Sequence, residues 1–438
     1  MQTLALWLYG VITWALQPLV RARLKRRAVQ EPLYGQWTEE RFGHYSQAPS
    51  EGWVWIHAVS LGETRAAAIL LRELRLAAPG MKLLLTHGTA TGRQEGAKLL
   101  QAGDAQVWQP WDSAQATRRF LAHFKPRMGI LMETEVWPQL CAAAAHAGLP
   151  LVLANARLSD ISEAKAQRFT LLSRPAFASF SLVLAQTQLD AQRLYEVGAA
   201  QVQVMGNLKF DVNLDAAMLD QGKQLKHHCV DQLVVMLASS REGEEALFLE
   251  QIKAVAGIKY TQNATNFAAD QTQKSIQYLI VPRHPQRFDE VQLLCEQQGL
   301  SVSRRSSWAD APQAADVWLG DSMGEMPLYY ALADIALLGG SFEPLGGQNL
   351  IEAIAAGCPV VMGPHTFNFQ EACDTAQSMQ AALRCTDMRQ GIELALRSVQ
   401  TPPEMQRLQQ QGQQWLAQSR GAALRMTQQI TPLLRSST

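Results

Sequence analysis

Short apolar runs recur along the chain at intervals that leave room for a helix between neighbours. The first series is Trp53 to His57, Lys82 to Thr86, Gly129 to Met132, Leu151 to Ala154 and Leu182 to Ala185. A second begins at Leu233 to Leu237 and continues through Tyr278 to Val281, Val317 to Leu319, Ile335 to Leu338 and Val360 to Met362. Runs of this kind, alternating with helical patterns, predict an α/β protein with parallel strands covered on both faces by helices. Between the two series, Asp211 to Lys226 is polar and carries no strand signal, which predicts a linker. The division that follows is residues 1–30, 31–212 and 213–438: an N-terminal segment and two α/β domains, the second ending in helices. Ligands of open α/β sheets bind beyond the carboxyl ends of the strands, so two such domains are expected to share a cleft.

The start of the chain departs from this alternation. Leu4 to Val20 carries no charge and includes Trp7, Tyr9 and Trp14, and Arg21, Arg23, Lys25, Arg26 and Arg27 follow directly. The run is near the lower limit for spanning a bilayer, and aromatic rings beside cations suit the interface. A secretory signal has its charges before the apolar run and a small-residue cleavage site after it. Here that order is reversed. A membrane-anchoring helix is expected, its basic flank on the cytoplasmic side beside anionic lipid; the alternative is an amphipathic first helix packed on the protein.

Composition narrows the classes. At 438 residues two domains are expected, and 18% charged with 47% hydrophobic residues describe a folded chain rather than a disordered one. The 39 basic residues balance the 39 acidic ones, so nothing global suggests nucleic acid and an anionic partner must meet a local patch. Six cysteines are scattered without metal-ligand spacing, as expected of reduced thiols in a cytoplasmic chain. Thr261 to Lys274 is polar enough to be an inserted surface loop.

Candidate chemistry clusters where predicted strands end. Ile335 to Leu338 closes on Gly339-Gly340-Ser341; a loop follows, then a helix that sets Asn349 and Glu352 three residues apart on one face. Glycines between strand and helix admit a phosphate to the backbone, and Glu352 is placed to accept from ribose hydroxyls. After Trp53 to His57, the loop through Ser60 leads to Gly62-Glu63 at a helix start. Glu63 there is either a general base for a hydroxyl nucleophile or a helix cap. Glu133 and Glu135 follow another strand, to bind acceptor hydroxyls or amines or to stand as capping or solvated acids. Asn155-Ala156-Arg157 offers an amide and a cation. Two prolines frame Arg283 and His284, and Arg283 suits a phosphate, or else a surface salt bridge. No Asp-x-Asp and no metal-ligand cluster occurs, which favours helix N-termini and Arg283 as carriers of a leaving phosphate's charge.

Taken together, these motifs resemble the 3-deoxy-D-manno-octulosonic acid (Kdo) transferases of lipopolysaccharide assembly. The resemblance runs through Glu40-Arg41-Phe42-Gly43, HAVSLGE at His57 to Glu63, METEVWP at Met132 to Pro138, NARLS at Asn155 to Ser159 and GNLKFD at Gly206 to Asp211. It continues in ASSREGEE at Ala238 to Glu245, VPRHPQRF at Val281 to Phe288, DSMGE at Asp321 to Glu325 and the glycine-rich segment. It implies a GT-B architecture of two Rossmann-like domains, CMP-Kdo as donor substrate without cofactor or metal, and a lipid A precursor (lipid IVA) as acceptor at the cytoplasmic face of the bacterial inner membrane. By the same resemblance Glu63 is the base of an inverting transfer. Ser239, Arg283, His284, Met323, Gly324, Gly340, Ser341, Asn349 and Glu352 then line the donor pocket. Ser60, Gly62, Arg65, Glu133, Glu135 and Lys209 are the acceptor-side candidates. THGTATG at Thr86 to Gly92, Gln139 after Trp137-Pro138 where asparagine is expected, and the long Thr261 to Lys274 depart from the family pattern. Two other readings stand beside it: a GT-B transferase using a UDP-sugar on another membrane lipid, and a membrane-bound scaffold with a retired nucleotide site.

Overall fold

The computed structural model describes residues 1–263 and 274–436. The chain divides into two compact units, Met1–Asp211 with Ser419–Thr438, and Val212–Gln418. The strands of the first are β1 (Trp53–His57), β2 (Lys82–His87), β3 (Ala105–Trp108), β4 (Met128–Met132), β5 (Leu151–Ala156), β6 (Leu182–Ala185) and β7 (Val202–Val204). They form a parallel sheet in the order β3-β2-β1-β4-β5-β6-β7. Side chains alternate across a strand. Trp53 and Trp55 of β1 therefore join Phe120 and Phe124 on one face, while Val54 and Ile56 join Leu70 and Leu74 of helix Leu61–Ala77 on the other. Gly129 of β4 makes room for the indole, since a Cβ there would lie 2.7 Å from Trp55.

The second face is completed from the far end of the sequence. Ala422, Ala423, Met426, Ile430 and Leu434 of helix Ala422–Ser436 lie in the same core cluster as Leu70 and Leu74. Asp211 caps that helix, accepting from the N–H groups of Gly421 (2.5 Å) and Ala423 (2.6 Å). Residues 419–438 thus pack with the first unit, where the sequence division assigned them to the second; their apolar stripe finds its partner on helix Leu61–Ala77.

The second unit carries β8 (Gln232–Ser240), β9 (Ser275–Pro282), β10 (Val302–Arg304), β11 (Val317–Leu319), β12 (Ile335–Leu338), β13 (Val360–Met362) and β14 (Ala382–Arg384). Its parallel order is β10-β11-β9-β8-β12-β13-β14. Most of the stretch expected as a linker is helix, Ala216–His227, capped by Asp215, whose carboxylate accepts from Ala217 N (2.9 Å). Gly222 lets this helix close on the Leu328 carbonyl, which a side chain would strike. Most of the expected insertion Thr261 to Lys274 lies outside the described residues.

The N-terminal apolar run is divided. Helices Gln2–Ala15 and Gln17–Gln30 meet at a 46° bend, and among the described residues no single helix is long and apolar enough to cross a membrane, though the bent pair passes by length and composition. Pro18 explains the break: without an N–H it cannot continue a helix and suits the first turn of a new one. The first helix is tied to the unit through its backbone, by Gln139 Nε2 donating to the Leu6 carbonyl (2.7 Å) and Trp111 Nε1 to that of Thr13 (2.7 Å). Gly10 leaves the space that the Gln139 amide occupies. Leu4, Trp7, Leu8, Ile12, Trp14 and Leu19 are exposed. Nearby, buried Asp112 caps helix Pro138–His146, accepting from Leu140 N (2.8 Å) and Gln139 N (3.1 Å).

Candidate active site

In the first sheet β1 and β4 are neighbours from which the chain departs in opposite directions, the topology that opens a binding crevice at their carboxyl ends. Ser60 and Glu63 leave β1 there, and Glu133 and Glu135 leave β4. Ser60 caps helix Leu61–Ala77, its Oγ accepting from Glu63 N (3.3 Å). The Glu63 carboxylate answers by accepting from Ser60 Oγ (2.8 Å) and Val59 N (2.8 Å). This is a close variant of the capping box. Burial pushes the Glu63 carboxyl above its ordinary range, the Val59 N–H opposes it, and the charges of Glu135 and Glu133 push it further. Glu63 is thus part of the helix cap and at the same time a partly buried carboxylate of raised basicity. Its loop is braced from behind by Thr89 Oγ1 donating to the Val59 carbonyl (2.9 Å), and by Gly92, where a Cβ would stand 2.8 Å from that oxygen.

Glu133 has a left-handed backbone (φ 57°), held by its N–H on the Ala154 carbonyl (2.9 Å). Glu135 accepts from Trp137 Nε1 (2.8 Å), and its other near neighbour is His57. Asn155 is also left-handed (φ 52°), and its Oδ1 accepts from Leu208 N (3.0 Å). It thereby holds the turn Leu208–Asp211 that carries Lys209. Gly62 is exposed in the first helical turn. Arg65 is more than half exposed and lies 3.6 Å from Glu95 on the next helix. Non-glycine residues with positive φ are strained and gather at functional sites; asparagine adopts this conformation readily, but nothing in the letter Glu announces it.

The corresponding switch in the second sheet lies between β8 and β12. Ser239, left-handed (φ 54°) and buried, stands one residue before the end of the first; Gly339-Gly340-Ser341 follows the second. Gly339 passes so close to the Ala238 and Ser239 carbonyls that no Cβ fits. At Gly340, expected to lie where a phosphate approaches the backbone, the N–H already has a partner within the protein. Its N–H donates to Glu244 (2.7 Å), which also accepts from Phe342 N (3.0 Å) and Arg241 N (2.9 Å). Burial raises the Glu244 carboxyl, and these three N–H groups oppose the rise. Ser341 is fully buried, donating to Leu338 O and accepting from Gly363 N (2.8 Å), so its hydroxyl shapes the loop and does not line a pocket. Beside it, Glu245 accepts from Ser240 Oγ (2.7 Å) and Arg287 Nη1 (2.8 Å).

Arg283 follows β9, and its guanidinium makes no hydrogen bond or ion pair among the described residues. His284 is exposed, its pKa lowered by partial burial and by the cations Arg241 and Arg283. Met323 is 60% exposed beside Gly324 (φ 86°) on a turn after β11. Asp321 anchors that turn on Ser306 N (2.8 Å) and Arg304 Nε (2.6 Å). Asn349 caps helix Leu350–Ala355 through Ile351 N (3.1 Å) and donates to Glu352 Oε1 (3.0 Å). Burial raises the Tyr330 hydroxyl, and both Glu352 and Arg283 act on it, which puts them near a common group. Among the described residues no cluster of three His, Cys, Asp or Glu is arranged to hold a metal. The roles of Glu244, Thr89 and Gly92 escape the sequence, since each acts by reaching a backbone group distant in the chain.

Residues 36–212 match the family described as 3-deoxy-D-manno-octulosonic-acid transferase (kdotransferase). A 3-deoxy-D-manno-octulosonic acid transferase of Bordetella pertussis is 44% identical over 431 residues, 95% of this chain and 97% of that protein. This chain belongs to the Kdo transferase family. The Kdo transferase of Haemophilus influenzae is 31% identical over 95% of this chain and 96% of its own. The enzyme is accordingly a glycosyltransferase. Among solved structures, a glycosyltransferase from Rickettsia africae ESF-5 aligns with a TM-score of 0.55 at 12% identity, covering 90% of this chain and 100% of that one. A UDP-N-acetylglucosamine 2-epimerase aligns at 0.50 with 16% identity over 84% and 91%. These two likenesses speak for the fold alone, paired α/β domains of GT-B type.

Proposed function

We propose that this Kdo transferase moves Kdo from CMP-Kdo to a lipid A precursor, lipid IVA, with inversion, at the cytoplasmic face of the bacterial inner membrane. Glu63 takes the proton from an acceptor hydroxyl; that oxygen bonds to the anomeric carbon of Kdo as the bond to the CMP phosphate breaks. The observation that carries the proposal is the partly buried Glu63 carboxylate at the β1/β4 crevice, with Glu133 and Glu135 beside it. Burial and like charge raise its basicity, the requirement for a general base working near neutral pH. Arg283, without a hydrogen-bond or ion-pair partner among the described residues, supplies charge for the departing phosphate, aided by His284, and Glu352 accepts from the ribose. In this reading neither cofactor nor metal takes part. Support for membrane attachment is the exposed apolar face from Leu4 to Leu19 together with exposed Arg23, Lys25 and Arg26. Acceptor phosphates would meet Lys209 and this basic flank.

The test is transfer from CMP-Kdo, generated in situ, to a tetraacylated lipid A precursor, resolved by mass so that each added sugar is counted. A mass gain that is unchanged in excess EDTA is expected. No gain by a folded protein that CMP protects against thermal unfolding would overturn the acceptor.

A further inference from the structure

His57 ends β1, is fully buried, and stands among the residues of the proposed acceptor site without a role in the mechanism above. Its Nδ1 lies 2.8 Å from Thr86 Oγ1 and 3.2 Å from the Thr86 carbonyl. Its Nε2 has no hydrogen-bond partner among the described residues. That nitrogen is 3.9 Å from Glu135 Oε2.

Donor counting decides which nitrogen carries the proton. Thr86 Oγ1 already accepts from the Trp55 indole N–H (2.8 Å), which leaves its own hydroxyl proton to donate. His57 Nδ1 is the acceptor within reach. The Thr86 carbonyl accepts from the Ala58 N–H (3.0 Å) and has a second lone pair, but a proton on His57 Nδ1 would leave the buried Thr86 hydroxyl proton without an acceptor among the described residues. With Nδ1 accepting, the ring proton sits on Nε2 and faces the carboxylate. The opposite tautomer aims a lone pair at Glu135 and strands a buried acceptor, which is costly away from water. At 3.9 Å the contact is too long for a hydrogen bond in the free enzyme. Such bonds commonly tighten when substrate fills the site.

Resting on the reaction proposed above, we propose that His57 is a positioning residue for the acceptor. Its Nε2–H holds Glu135 Oε2, where Trp137 Nε1 also donates, and so turns Glu135 Oε1 toward a second polar hydrogen of the acceptor, an O–H or amide N–H beside the attacking hydroxyl. Glu63 then removes the proton from the attacking hydroxyl of a ring held at two points. The ligand class is an acylated amino sugar that offers an O–H or N–H beside its attacking hydroxyl, and the row Trp55, Thr86, His57, Glu135, Trp137 keeps the carboxylate that recognises it in place.

The proposal is tested by comparing His57→Gln, whose amide N–H falls where Nε2 stands, with His57→Asn, whose amide falls where Nδ1 stands. Transfer by the glutamine variant should stay within about threefold of wild type. The asparagine variant should lose roughly 10- to 100-fold in kcat/KM for the acceptor, the scale of lost orientation, with the KM for CMP-Kdo unchanged. Adding His57→Asn to Glu135→Gln should bring no further loss. Equal losses in the two His57 variants, or additive losses with Glu135→Gln, overturn it. On the wild-type enzyme, 15N imidazole spectra with His57 assigned through Trp55 should show the proton on Nε2; a proton on Nδ1 overturns it whether or not the variants fold. Glu63→Gln separates the two levels: if it keeps turnover the underlying reaction is wrong, whereas an inactive Glu63→Gln with additive His57 and Glu135 losses condemns only this inference.

Discussion

Glu63 combines a structural and a chemical duty in one carboxylate, and the two separate on substitution. Glu63→Gln keeps an oxygen to accept from Val59 N and loses the charge, so CMP protection should persist while transfer falls about 10²-fold or more, as for a lost general base. The base must be ionised, and burial together with Glu135 and Glu133 raises its carboxyl. The acid limb of kcat/KM is therefore expected above the ordinary glutamate range. Removing a neighbouring negative charge favours the ionised form, so Glu135→Gln should move that limb to lower pH; a limb that does not move, or rises, contradicts the coupling. In the second unit, Glu244→Gln places an amide N–H where three backbone N–H groups need acceptors. Stability should drop by about 1–3 kcal/mol, read from denaturant midpoints. Glu63 was legible in the sequence as a helix-start carboxylate because Gly62-Glu63 following closely on an apolar run is a local signal. Glu244 was not: its partners Gly340 and Phe342 are nearly a hundred residues away, and only the fold brings them to it.

At the scale of elements, the strands read from the apolar pattern are the inner ones of both sheets. The four that left no clear signal, β3, β7, β10 and β14, are the four sheet edges. Edge strands are covered on fewer sides, so they tolerate polar residues such as Gln106, Gln203, Ser301 and Arg384 in or beside them. Where a strand has neighbours on both sides it must be apolar almost throughout, and that is what a pattern shows. The helix starts behave similarly: Ser60, Thr89 and Asn349 are local caps, whereas helix Pro138–His146 is capped from a distance by Asp112. Burial lifts the Asp112 carboxyl to about 6. An acid raised on folding favours the native state below its unfolded pKa and loses that contribution as pH climbs through the folded value. Wild-type stability should therefore decline between about pH 4 and 6 by something on the order of 3 kcal/mol from this group. Asp112→Asn lacks the titration, so its urea midpoints across that range should follow a flatter line, whatever its absolute stability.

Across the whole molecule, two parallel sheets were foreseeable from ten apolar runs, whereas their four edge strands and the return of the chain were not. Helix Ala422–Ser436 reads as an ordinary amphipathic helix, and no residue in it states which unit will cover its apolar stripe. Removing residues 419–438 uncovers Leu70 and Leu74 and deletes Met426, Ile430 and Leu434 from the core. At roughly 1.5–3 kcal/mol for each large buried side chain, that loss rivals the whole stability of a typical domain. The truncated protein should show the first unit open to limited proteolysis and the second still protected; a first unit that stays protected would count against the packing described.

The same return governs how the protein is made. A ribosome delivers the first unit's sheet early, then synthesises the whole of the second unit before the closing helix exists. At typical elongation rates that interval is roughly ten to forty seconds. Throughout it the outer face of helix Leu61–Ala77 has no cover, and the second unit is the first able to finish folding. The half of the molecule that carries Glu63 is thus the last to be completed, and a chain released before its final turn leaves its apolar face to whatever chaperone or membrane it meets.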